Sequence, residues 1–76
     1  MNELIKSGDL SKQYGVSTRT LRYYEEIGLI QSQRTDEYAY RMYDEQNKNR
    51  LEQILILRKL NIGIKDIQYI FSADSS

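Results

Sequence analysis

Between Tyr14 and Thr18 the chain reads Gly-Val-Ser, and these three residues restrict the fold more than any other stretch. On their N-terminal side, residues 8–14 place Asp9 in a first turn and Leu10 and Tyr14 four apart, with Ser7 positioned to cap. That is a helix with one apolar edge. Gly15 suits the left-handed residue that ends such a helix. Ser17 suits the N-cap of a second helix over residues 18–27, which Gly28 closes. Two helices joined by a short glycine-containing turn make a helix-turn-helix.

The next segment, residues 31–43, changes period. Tyr38, Tyr40 and Met42 alternate with Ala39, Arg41 and Tyr43 after the turn-forming Thr35, Asp36 and Glu37, which predicts a short β-hairpin. Asp44 is placed to cap a third helix running to about residue 60. Leu51, Ile54, Leu55 and Arg58 keep helical spacing there, and Ile56, Leu57 and Leu60 widen the apolar face. Asn61 tolerates the left-handed conformation a helix end requires. A fourth helix over residues 64–71 carries Ile64, Ile67, Ile70 and Phe71 in one stripe. The expected class is mainly α, four helices with a small two-stranded β-hairpin wing.

The chain has 76 residues, enough for one domain spanning residues 1–76 and not for two. A domain this small buries only about 60–65% of its unfolded surface, so the core must be thin and apolar. It has no cysteine and no histidine, which removes disulfides and the usual zinc ligands. With no Gly-rich phosphate loop and no enclosed carboxylate pair either, an enzyme is not expected, and no cofactor or metal is called for. No apolar run approaches the 18 residues of a membrane span, and the first ten residues lack the apolar stretch of a signal peptide, so a cytoplasmic protein without a membrane partner is expected. Eleven basic residues balance eleven acidic ones, so only the placement of charge can inform on a partner.

Placement is informative in the second helix. Val16 and Leu21, with Tyr24 one turn further on, share a face with Leu10 and Tyr14 and are expected to pack between the helices, Ser11 lying at their closest approach. The other face carries Arg19, Thr20, Arg22 and Tyr23, with Thr18 at its start. In this motif that N-terminal half enters the major groove of DNA. Arginine presents a planar fork to guanine edges or phosphate, and the threonine hydroxyls lie beside helix N–H groups that attract phosphate. Glu25 and Glu26 are expected to fall past the patch. A lone Arg-Thr-Leu-Arg is an ordinary solvated helix face, and a lone tyrosine is more often a half-buried core residue, the reading preferred for Tyr24. The combination of tight turn, one-sided basic face and basic hairpin carries the argument. In that hairpin Arg34 and Arg41 are expected to face outward while alternate strand positions cover the core.

The stretches "GDLSKQYGVSTRTLRYYEEIGLI", "YAYRMYDE" and "RLEQILILRKLNIGIKDI" resemble the DNA-binding domain of the MerR family of bacterial transcription regulators, over about residues 5–71. The resemblance implies a winged helix-turn-helix that works as a homodimer on a near-palindromic operator in double-stranded DNA. Family members distort that DNA so that RNA polymerase can use the promoter when an inducer binds. By the family pattern Thr18, Arg19, Arg22, Tyr23 and Tyr24 contact DNA from the second helix, and Tyr40 and Arg41 from the wing; a Tyr24 packed by its ring and exposing its hydroxyl satisfies both readings. Three departures stand out. Ser32 occupies the place of a usual proline, Ala39 that of a wing glycine, and Gly63 that of the usual Ser or Thr cap of the fourth helix. The family also continues into a dimerisation helix and an inducer-binding segment, so the 76 residues are expected to be a fragment of a longer protein.

Two other readings are consistent with the same residues. One is a naturally short, excisionase-like architectural DNA-binding factor. The other is a protein-interaction module using the Ile- and Leu-rich third helix.

Overall fold

The computed structural model describes residues 4–34 and 41–74. In chain order these form β1 (Ile5–Lys6), α1 (Ser7–Tyr14), α2 (Thr18–Glu26), β2 (Gln33–Arg34), β3 (Arg41–Tyr43), α3 (Glu45–Lys59) and α4 (Ile64–Asp74). The architecture is mainly helical, with four helices and a small antiparallel sheet in the order β1-β3-β2.

Local chemistry sets most element ends. Gly15 takes φ 68° and its N–H returns to the Ser11 carbonyl, so the chain reverses in three residues. Ser17 caps α2, its hydroxyl accepting from the Thr20 N–H at 3.1 Å. Asp44 caps α3 in the same manner through the Asn47 N–H at 2.9 Å. Asn61 is left-handed at φ 63°, as expected just past a helix end. The first helix departs from expectation. Ser7 lies within α1, and Lys6 holds the cap position with no side-chain cap bond. Helix α4 runs three residues further than its apolar stripe suggested, to Asp74.

The sheet has one more strand than the two of the expected wing. β2 and β3 pair antiparallel, Gln33 with Met42 and Arg34 with Arg41. On the other side of β3, Ile5 pairs with Tyr43 and Lys6 with Met42. The tyrosines and alanine at 38–40, on which the wing-tip expectations rest, lie outside the described residues.

One core joins the elements. Leu10, Leu21, Tyr24, Leu29, Ile30, Tyr43, Leu51, Ile54 and Ile67 are buried, and Tyr14, Val16, Leu55, Leu57, Ile64 and Phe71 pack partly against them. The helix-turn-helix contacts expected of Leu10, Tyr14, Val16, Leu21 and Tyr24 are therefore present. The apolar faces of α3 and α4 are narrower than their sequences suggested. Ile56, Leu60 and Ile70 remain exposed, as does Tyr69. Around the wheel of α3, Ile56 and Leu60 fall away from Leu51 and Ile54, the residues that face the core.

Three polar contacts pin the segment that leaves α2. Arg50 donates from Nε to the Leu29 carbonyl at 2.7 Å, and Gln68 donates to the Ile27 carbonyl at 3.1 Å. Asn47 in turn accepts from the Gln31 N–H at 2.8 Å. Helices α3 and α4 thus fix how the chain departs from α2 towards β2.

Candidate nucleic-acid interface

Helix α2 starts at a capped, exposed end and turns Leu21 and Tyr24 inward. Its opposite face lines a shallow open depression built from Thr18, Arg19, Arg22, Tyr23 and Glu26. The spacing explains the grouping. Thr18, Arg22 and Glu26 form one row four apart, and Arg19 and Tyr23 a second beside it. Two guanidinium groups, a hydroxyl and a half-exposed phenol ring on one convex element suit a polyanion with planar edges. Glu26, expected beyond this patch, lies within it and adds a carboxylate at its C-terminal end.

The other α2 candidates are placed differently. The hydroxyl of Thr20 lies 3.0 Å from that of Ser17, inside the cap. Tyr24 is 6% exposed, and its ring centre lies 5.9 Å from that of Tyr23. It belongs to the core, as the packing argument held.

In the wing, Arg34 is exposed on β2 and lies opposite Arg41 on β3. Arg41 was expected to face outward. Instead its Nη1 donates to both carboxylate oxygens of Glu25, at 3.1 and 3.0 Å. The reason is local. Glu25 stands four residues after the buried Leu21, on the inward side of α2, and a carboxylate there requires partners. It also accepts from the Tyr43 hydroxyl at 2.7 Å and from the Ser32 hydroxyl. Tyr40 lies outside the described residues.

These bonds set the electrostatics of the cluster. Burial works to raise the Glu25 pKa, but the hydrogen bonds from Ser32 and Tyr43, and then Arg41, outweigh it and hold the carboxyl below its ordinary value. Burial, then the bond to Glu25, push the Tyr43 phenol well above its ordinary value; Arg41 and Arg22 act in the opposite sense. Sequence reasoning missed this cluster. The available signal was an acidic residue one turn after a core leucine, but its partners at 32, 41 and 43 come from other elements.

The sequence matches the family description "MerR HTH family regulatory protein" over residues 5–74. The chain belongs to the MerR HTH family. That places it among regulatory proteins and not among enzymes. Among curated relatives it is 38% identical over 60 residues to the mercuric resistance operon regulatory protein of Bacillus cereus, covering 79% of this chain and 46% of that one. It is 32% identical over 72 residues to the ZntR homolog of Haemophilus influenzae, an HTH-type transcriptional regulator, covering 95% of this chain and 53% of that one. The crystal structure of the regulator SkgA from Caulobacter crescentus superposes with a TM-score of 0.81 at 34% identity, over 97% of this chain and 53% of that one. That of HiNmlR, a MerR family regulator lacking the sensor domain and bound to promoter DNA, superposes at 0.74 with 25% identity, over 90% and 54%. This MerR-type chain thus spans about half the length of these relatives.

Proposed function

We propose that the chain is the DNA-reading domain of a transcriptional regulator, seating the exposed face of α2 in the major groove and the sheet against the neighbouring backbone. The observation that carries this reading is the grouping of Thr18, Arg19, Arg22 and Tyr23 on one exposed face of a capped second helix. The likeness to a regulator bound to promoter DNA supports it. Arg34 reaches phosphate from β2. Arg41 does so only with what its bond to Glu25 leaves, since a guanidinium has five N–H donors and Nη1 supplies at most two.

In the whole protein we assign a homodimer on a near-palindromic operator, with distortion of the DNA and a response to an inducer, as the family resemblance implies. RNA polymerase is then the partner at the promoter. The exposed Ile56, Leu60, Tyr69 and Ile70 supply apolar surface for such an assembly.

The test is titration of the protein against a random duplex and against duplexes selected from a randomised pool, in rising salt. A DNA reader prefers the selected sequences, and its affinity falls steeply with salt as counterions are released from the duplex. Absence of duplex binding at low salt would overturn the assignment and favour a protein-interaction module.

A further inference from the structure

The carboxylate of Glu25 gathers groups from two other parts of the chain. Its own helix is α2, Ser32 belongs to the segment that leaves α2, and Arg41 and Tyr43 lie on β3. The Glu25 side chain is 13% exposed and that of Arg41 29%. No neutral side chain can replace it fully. A carboxylate only accepts, through about four lone-pair positions, whereas a glutamine amide would turn N–H groups towards Arg41 or Tyr43.

We propose that Glu25 is a positioning residue for DNA binding: it locks β3, and through it the wing, onto the recognition helix, so that Arg41 and Arg34 meet the backbone in fixed register with Arg19 and Arg22. The inference rests on the DNA-reading assignment above and deepens it. Arg41 is the hinge of the argument, since it is bonded to Glu25 and paired across the sheet with Arg34. Ser32 adds a bond from the linker, at a place where the family usually has a proline, which has no side-chain hydroxyl to donate. The charge of Glu25 gives the idea a distinctive sign. A carboxylate beside a DNA-binding face repels phosphate, so on charge alone its removal should strengthen binding. Positioning predicts the reverse.

The experiment uses the protein with a duplex selected from a randomised pool, at one moderate salt concentration, below the melting onset of every variant. Glu25→Gln is expected to weaken binding about tenfold, the worth of one charge-assisted hydrogen bond. In an Arg41→Ala background the same change is expected to lose most of its effect, because it acts through Arg41. Tyr43→Phe keeps the charge and the packed ring while deleting one bond to Glu25, and is expected to weaken binding by a smaller factor. It carries the test alone if Glu25→Gln does not fold. Unchanged or tighter binding by Glu25→Gln, or by Tyr43→Phe where it stands alone, overturns the inference, as does an undiminished Glu25→Gln effect without Arg41. Arg19→Ala and Arg22→Ala serve as controls. If they too bind as tightly as the parent, the recognition-helix assignment itself has failed; if they weaken binding while Glu25→Gln and Tyr43→Phe do not, only the positioning role has.

Discussion

Arg50 donates from Nε to the carbonyl of Leu29 at 2.7 Å, joining the middle of α3 to the first residues beyond α2. Its guanidinium also lies 4.5 Å from the centre of the Phe71 ring on α4. One side chain therefore ties three parts of the core together. Arg50→Lys keeps the charge but loses the Nε donor and the planar stack, so it is expected to destabilise by about 1–2 kcal/mol. Denaturant unfolding monitored by circular dichroism measures this. An unchanged midpoint would show that lysine suffices.

Arg19→Ala and Arg22→Ala are expected to weaken DNA binding while leaving the melting temperature close to that of the parent, since both side chains are exposed. An arginine that reads a base should cost about 1–3 kcal/mol and relax preference at one position of the site. One that meets only phosphate should weaken all duplexes alike and flatten the salt dependence. Titration against a panel of single-position variants of a selected duplex separates the two.

Leu21→Ala should have the opposite profile. Leu21 is fully buried where α1 and α2 meet. Its truncation is expected to cost about 2–5 kcal/mol, a large part of the stability of so small a domain. Thermal melting measures it directly. DNA binding should fall only as the folded fraction falls.

The Glu25 cluster predicts an acid-side dependence. Its folded pKa is held below the ordinary carboxylate value, so the group favours the folded state fully above that value. The contribution is lost as pH falls from there through the depressed folded pKa. The stability gap between the parent and Glu25→Gln should therefore be widest near neutrality and narrow on acidification. Denaturant midpoints taken from pH 7 downwards would show this. A gap independent of pH would mean that the carboxylate charge contributes nothing.

Asn61 offers a backbone test, being left-handed at φ 63°. Asn61→Ala should destabilise by about 1 kcal/mol, because alanine keeps the Cβ that crowds the following carbonyl there and loses the short polar side chain with which asparagine offsets it. Asn61→Gly relieves that crowding and should come out close to the parent. Equal melting temperatures for the alanine and glycine variants would contradict the assigned turn.

What could be read from the sequence was what neighbouring residues decide among themselves. Gly15, Ser17, Asp44 and Asn61 act within a few positions of their own place, and the turns and caps they form were legible. The inward face of α2 was legible from its period. Two things were not. Strand β1 is Ile5–Lys6, too short to show any alternation, and it exists only because β3 passes beside it. The partners of Glu25 lie 7, 16 and 18 positions away, so its role, and with it the inward turn of Arg41, depends on tertiary approach. Ile56 and Leu60 show the converse, since apolar character alone does not decide which neighbour, if any, covers a residue.

The pairing of Ile5 with Tyr43 also bears on how the molecule assembles. The helices and the α1–α2 turn can form from contacts a few residues apart, on fast local timescales. Strand β1 pairs with β3 across the whole helix-turn-helix, so closing that loop is the most distant step in the sheet. Ile5 and Lys6 are thus placed to lock late, sealing β3 after α2 has formed.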